Sequence, residues 1–336
     1  MKLIFLSISN FRKAILSLVI GGFFVITMTL PTHGKGTNLI FVSNEKSSQI
    51  TVLNMKHKVI KTIKTCRRPR GMHFSGNKTQ FYVGCADDSQ ISIYNVKSQR
   101  LVDRIRGVEE PETFDLHPNN RHLYISNEED ASLTVFDIKT KELLHTFETG
   151  EEPEGVQMTS NGKLVFVASE AANLVHVIDT DAKKVIADIP TDTRPRRFAL
   201  TPDEKELWVS AELAGMINII SVLQLKIIED IVFRPTGFRP EQITPVDIIM
   251  TKDGLRAYIA LGRANNIAVV DVKTREIVDY ILVGKRPWGL ALTKDETRLY
   301  VANGLSDDIT VIDTKSLKAL TSIPVGRVPY GILIDD

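Results

Sequence analysis

Short apolar stretches alternate along this chain with clusters of Asp, Asn, Gly, Ser and Pro, and the alternation keeps a fixed beat. The segment from Arg286 reads RPWGLALTKDETRLYVANGLSDDITVIDTKSLKALTSIPVG. Its apolar runs are Gly289–Leu292, Arg298–Ala302, Ile309–Asp313 and Ala319–Val325, broken by TKDET, NGLSDD and DTKS. Runs this short, bounded by turn-forming residues, predict antiparallel hairpin strands rather than helices. We name the four a, b, c and d, from the inside of the fold outward. The unit repeats: Pro69, Pro111, Pro153, Pro195, Pro245, Pro287 and Pro329 follow one another at 42 residues, except for 50 between Pro195 and Pro245. A period in the low forties with four strands per unit predicts an all-β protein, a β-propeller with blades of the WD40-like kind.

Two columns fix the register. Strand b carries Phe41, Tyr82, Tyr124, Phe166, Trp208, Tyr258 and Tyr300 at equivalent places, as expected for packing between blades. Strand c ends on Asn54, Asn95, Asp137, Asp179, Ser221, Asp271 and Asp313, side chains that accept backbone N–H bonds in the c–d turn. The ends are complementary. NLIFVSN begins the first unit at strand b, and VPYGILI supplies a lone strand a at the C-terminus. Seven four-stranded blades result if Tyr330–Ile334 completes blade 1 beside Leu39–Asn44, leaving no open edge at the join. The expected organisation is a signal peptide at 1–34 and one seven-bladed domain over 35–336.

The N-terminus sets the compartment. Lys2, Arg12 and Lys13 precede an uncharged run, Ala14–Leu30, then Pro31 and Gly34. A basic start, an apolar middle and small residues at the exit describe an export signal, so a periplasmic location is expected. An uncleaved anchor is the alternative, and no other stretch is apolar enough to span a membrane. Removal of residues 1–34 would change the formal charge from +1 to −2. With no concentrated basic surface, nucleic acid is not an expected partner. The two cysteines, Cys66 and Cys85, come to one face of blade 2. An exporting compartment permits a disulfide, although the expected register sets Cys85 opposite Arg70 and leaves separate thiols open.

Strand a begins and strands b and d end on one face, the top. The residues after the repeat prolines, Arg70, Glu112, Glu154, Arg196, Val246, Trp288 and Tyr330, should rim the channel there. Beyond strand b stand Glu45, Glu128, Glu170 and Glu212, replaced by Gly262 and Gly304 in blades 6 and 7. The longer fifth interval adds a loop with Phe238 and Arg239. Separated charge patches beside Trp288 and Tyr330 suit a docking surface, and solvated loops are the plainer alternative. Sequence signatures of catalysis are absent: there is no HExxH, GxSxG, phosphate-binding glycine loop or CxxCH.

The segments LYVANGLSDDITVIDT and AYIALGRANNIAVVDV resemble the YVTN family of β-propeller repeats. RRPRGMHFS, EEPEGVQMTSNGK, TRPRRFALTPDEKELWVSAE and DYILVGKRPWGLALTKDETRLYVANG resemble the PQQ-dependent catabolism-associated β-propeller subfamily. That resemblance implies an exported accessory protein working beside a quinoprotein alcohol dehydrogenase, a c-type cytochrome or an ABC transporter component. The leading expectation is therefore a non-enzymatic docking protein with no catalytic residues. Two alternatives remain. One is a carrier for PQQ or another small molecule, held by Arg68, Arg70, Arg196 or Arg197 with Trp288 or Tyr330 against its ring. The other is a lactonase-like hydrolase whose carboxylates, Glu45, Glu112, Glu128, Glu154 and Glu170, gather round a divalent cation.

Overall fold

A computed structural model describes residues 36–336; the segment read as an export signal lies outside the described residues. Twenty-eight strands form seven four-stranded antiparallel sheets arranged as the blades of a propeller. Blade 7 runs Pro287–Leu292, Arg298–Asn303, Asp308–Asp313 and Lys318–Pro324, each within two residues of the apolar runs in the sequence. The C-terminal strand Pro329–Asp335 joins blade 1 inside Leu39–Asn44, pairing Ile40 with Ile334 and Val42 with Ile332. Its far end is tied down as well, because Asp335 Oδ2 accepts from both the amide and the hydroxyl of Thr37 at 2.7 Å.

The c–d turns form as the Asn/Asp column requires. Asn54, Asn95, Asp137, Asp179, Ser221, Asp271 and Asp313 each accept a backbone N–H two to four residues ahead. Every aromatic of the strand b column is buried, at 5% exposure or less. The core consists of seven apolar clusters, one at each junction between neighbouring blades. Stability is therefore distributed around the ring, and each junction depends on the one that closes it.

Strand a departs from regular pairing in a way that shapes the channel. In five blades its register against strand b shifts between the proline and the third residue after it, as with Pro69↔Cys85 followed by Met72↔Val83. Such a bulge turns successive side chains off the sheet alternation and toward the channel. It also corrects the expected register in blade 2, where Cys85 lies opposite Pro69 rather than Arg70. Cys66 and Cys85 are joined in a disulfide with Cα atoms 5.7 Å apart, which ties the approach to strand a to the end of strand b.

The junction of blades 7 and 1 gives a direct check. Ile332 and Ile334 are each 8% exposed and pack with Ile40, Val42 and Tyr300. Ile334→Ala should lower the unfolding free energy by about 2–5 kcal/mol in a urea titration, as for other large core deletions. A loss below about 1 kcal/mol would mean that the C-terminal strand does not close the ring in solution.

Candidate active site at the channel mouth

The side chains that follow the repeat prolines meet at the top of the channel; four of the seven are charged, and three of those, Glu112, Glu154 and Arg196, are buried. Carboxylates removed from water require close cationic partners or they neutralise. The mouth supplies them: Glu45, Glu110, Glu112, Glu128, Glu154, Glu170 and Glu212 are interleaved with Arg68, Arg70, Arg194, Arg196, Arg197 and Arg286.

On the side of blades 1 to 3, Glu110, Glu112 and Glu128 converge, with one oxygen of each lying within 4.8 Å of the others. Glu112 is fully buried and pairs with Arg70; Arg68 pairs with Glu110 and approaches Glu112 at 3.4 Å. Glu128 is less well served. Its Oε2 is cut off from solvent and accepts no hydrogen bond, with Arg68 and Arg70 at 3.7 and 3.9 Å. Burial, followed by the charges of Glu154 and Glu110, pushes the Glu128 carboxyl up against the pull of Arg70 and Arg68.

Across the channel, Glu154 accepts from Arg196 at 3.1 Å, Arg197 at 2.9 Å and the Tyr330 hydroxyl at 2.8 Å, all at Oε1. Burial pushes its carboxyl up, but Arg196, Arg197 and Arg70 outweigh that and hold it well below the usual range. Arg196 also reaches Glu170 and Glu212 at 3.0 Å each. Burial and the nearby Glu154 and Glu212 charges push Glu170 up to about 8 against Arg196 and Arg194. Carboxyl groups forced apart in this way can hold different protonation states at one pH. Tyr330 lies between the Arg70 and Arg197 guanidiniums, 4.9 and 5.3 Å from its ring centre, and burial pushes its phenol up to about 12.

Several sequence expectations are corrected by this arrangement. The charged rims do not form separate surface patches for a protein partner, because Glu45, Glu112, Glu154, Glu170 and Glu212 are buried and paired with arginines of the same mouth, Glu45 and Glu112 with Arg68 and Arg70 and the other three with buried Arg196. Trp288 packs edge-on to Tyr330 at 5.7 Å between ring centres and faces the channel. Phe238 instead packs against the core of blades 5 and 6 and lines a groove with Ile277, Tyr280 and Leu282 of the outer edge of blade 6. Arg239 is exposed and pairs with Glu241 at 3.1 Å. The aromatics thus form no common anchor surface. A PQQ site fares no better, since Arg68, Arg70 and Arg196 already serve glutamates, and Arg197, bonded to Glu154 through Nη2, has no second open guanidinium beside it to hold a polycarboxylate. Of the expected cation ligands, Glu112 and Glu128 converge, joined by Glu110, while Glu45 sits beside Arg68 and Arg70, Glu154 pairs with Arg196 and Arg197, and Glu170 lies with Arg194 and Arg196.

One constellation escaped the sequence reading. In blade 4, Ser169 Oγ lies 3.0 Å from His176 Nε2, and His176 Nδ1 lies 2.6 Å from Asp188. It has the connectivity of a hydrolytic triad but is structural. Ser169 has no exposed surface, and Nε2 already accepts the Gly150 N–H at 2.8 Å. Equivalent positions elsewhere hold Asn44 with Thr51, Asn127 with Thr134 and Asn303 with Thr310.

The sequence matches the choice-of-anchor I domain over residues 116–300, more than half of the chain, and a YNCE-like β-propeller over residues 34–197. Neither match is to the PQQ-associated subfamily, so the link to PQQ-dependent catabolism is not sustained. No curated protein matches the sequence. Similar solved structures include the Pseudomonas aeruginosa periplasmic gluconolactonase PpgL, 18% identical with a TM-score of 0.74, covering 89% of this chain and 99% of that one. A Bacteroides uniformis protein described as a candidate 6-phosphogluconolactonase is 17% identical with a TM-score of 0.72, covering 88% and 98%. The dihydro-heme d1 dehydrogenase NirN is 15% identical with a TM-score of 0.68, covering 88% and 75%. At these identities the likeness shows the fold alone. The converging carboxylates, on a fold that these proteins use for catalysis, overturn the expectation of a non-enzymatic docking protein without a metal site.

The two perturbed carboxyls give opposite pH signatures. Glu154 is depressed on folding, so its stabilisation is present above about pH 4.5 and lost as the pH falls below that. Glu170 is raised, so the stability tied to its proton is complete below about pH 4.5 and is lost by the time the pH passes about 8. Thermal melts from pH 3 to 9 should show the acid decline flattened in Glu154→Gln and the decline between about pH 5 and 8 flattened in Glu170→Gln. Parallel curves for wild type and both variants would contradict this assignment.

Proposed function

The chain belongs to the choice-of-anchor I domain family, and we propose that it is a lactonase-like hydrolase that opens a small cyclic ester at the mouth of its channel. The observation that carries this reading is the meeting of Glu110, Glu112 and Glu128 within 4.8 Å, two of which, Glu112 and Glu128, have a solvent-excluded oxygen lacking a hydrogen bond. Such oxygens suit a hard divalent cation. Arg68 is the group that must yield to one, since it borders all three carboxylates and its side chain is 22% exposed. A cation there would polarise the ester carbonyl and acidify a bound water. The protein's own part is clearer. A carboxylate such as Glu128, whose proton affinity is raised by burial, can take a proton from the attacking water as it adds to the carbonyl carbon. Arg70 can then face the oxyanion that forms on the carbonyl oxygen. As the ring C–O bond breaks, that proton returns to the leaving oxygen. Similarity in fold to a gluconolactonase supports the choice of a lactone over other esters.

The test is acid release from a panel of hydroxylated lactones, using protein stripped with a chelator and then supplied with Ca²⁺, Mg²⁺, Mn²⁺ or Zn²⁺. Ring opening should depend on a cation, and Glu112→Gln and Glu128→Gln should each lower kcat/KM by about 10²-fold or more, whereas the exposed Glu241→Gln should not. Failure of every lactone with every cation would defeat the proposal. The same reading places the enzyme in the periplasm, on the strength of the basic and then apolar N-terminus. Cell fractionation with N-terminal sequencing checks this, and a cytosolic full-length chain would contradict it.

A further inference from the structure

Below the ring of charges, the channel widens into a chamber of about 180 Å³. Its polar walls come from Arg197 and Asp247, its aromatic walls from Trp288 and Tyr330, and Phe114 and Leu290 contribute apolar surface. The proposed cation cluster does not include these chamber residues.

The position of Arg197 and Asp247 in the repeat is informative. Both stand second after the repeat proline, where four other blades carry Gly71, Gly155, Gly289 and Gly331. Those glycines fit because a side chain would meet the backbone of the next blade: a Cβ on Gly71 would lie 2.8 Å from the Glu112 carbonyl oxygen, and one on Gly331 would lie 3.2 Å from that of Arg70. Blade 3 has Thr113, whose hydroxyl donates to the Glu154 carbonyl. Only blades 5 and 6 place charges at this level, and they are neighbours of opposite sign.

Neither charge is consumed by the fold. Arg197 uses Nη2 for Glu154 and Tyr330, and among the described residues its Nη1 and Nε have no hydrogen-bond partner. Asp247 accepts one backbone N–H at each oxygen, from Leu290 at 2.8 Å and Ile248 at 3.0 Å, which leaves acceptor capacity on both. Trp288 adds a buried indole N–H without an acceptor. An unmet buried donor has lost its water without a replacement, so an acceptor from a ligand would be stabilising there. The space equals that of about six waters, enough for the bulk of one small ring and too little for a dinucleotide or an extended chain.

We propose that this chamber is the substrate pocket and that it takes a single-ring, polyhydroxylated cyclic ester, with Arg197 and Trp288 donating to its carbonyl side and Asp247 accepting from a ring hydroxyl. The substrate class rests on the lactonase reading; the existence of the pocket does not. The aromatic walls suit the C–H faces of such a ring, and the free donors and acceptors match its alternating oxygens. Arg197 and Asp247 act here as specificity-determining residues.

Binding can be measured without turnover. Of the two tryptophans, Trp208 is fully buried in a blade core, so Trp208→Phe leaves the fluorescence of Trp288 as the reporter. Titration of that variant with the non-hydrolysable δ-lactam of gluconic acid should give a saturable change. Asp247→Asn and Arg197→Lys, with melting temperatures followed in parallel, should each weaken binding at least tenfold. The exposed Glu241→Gln should leave it within twofold. Lactam binding with no hydrolysis of any lactone would remove the catalytic reading and keep the pocket. Equal affinity in wild type, Asp247→Asn and Arg197→Lys, or no binding at about 10 mM lactam, would overturn the pocket. Tighter binding of the open-chain acid than of the lactam would overturn the cyclic ester as its ligand.

Discussion

Glu154 is the point on which the channel mouth turns. A single carboxylate oxygen accepts from Arg196, from Arg197 and from Tyr330, which arrives from the C-terminal strand on the far side of the channel. This joins blades 4, 5 and 1 through charge and hydrogen bonding, in addition to their apolar junctions. The arrangement also accounts for the number of arginines. Once Glu112, Glu154, Glu170 and Glu212 are taken out of water, each isolated charge would cost several kcal/mol, and only close guanidiniums with well-placed donors offset that. Lysine would not replace them well, since Arg196 serves three carboxylates at 3.0–3.1 Å through separate nitrogens of one planar group.

A mouth so thoroughly paired constrains chemistry. A ligand entering it must exchange places with an existing partner, so reactivity belongs where pairing is incomplete. Glu128 has one oxygen without a hydrogen bond, Trp288 has an indole N–H without an acceptor, and Arg197 has two nitrogens to spare. These incompletely satisfied groups lie along the upper channel. The outer strands and the loop after blade 5 show a different pattern: Phe238 is used in packing, and Arg239 pairs with its near neighbour Glu241. Glu128, Trp288 and Arg197 are thus the groups of the upper channel that a ligand could engage without first displacing a partner.

The sequence made the frame legible and the site only partly so, for a physical reason. Proline spacing, the strand b aromatics and the Asn/Asp turn column are local and periodic, so seven blades and the closing strand follow from them. The bulge after each proline is not visible in the alternation of apolar and polar residues, because it depends on how strand a pairs with strand b. Missing it displaced Cys85 by one register position and left Asp247 off the channel wall. Burial of charge was missed for a similar reason. Glu112 and Arg70 look like solvent-exposed rim residues when read singly, and only their mutual pairing across neighbouring blades allows them to sit inside. The Ser169–His176–Asp188 line shows the opposite hazard, since its geometry resembles chemistry while its burial and its backbone hydrogen bond assign it to the fold.

Repeat proteins make functional departures easier to recognise, because each blade serves as an internal control for the others. Where four blades require glycine for backbone clearance, the presence of Thr113 has a structural account in its bond to Glu154. Arg197 and Asp247 have only a partial one. Asp247 accepts only two backbone N–H groups, those of Ile248 and Leu290. Keeping a carboxyl group there, pushed up by burial and only partly relieved by Arg197, costs stability that a glycine would not. A carboxyl group kept at that cost, in the blade next to an arginine with donors to spare and facing one chamber, is what a binding pocket requires and what the propeller frame does not.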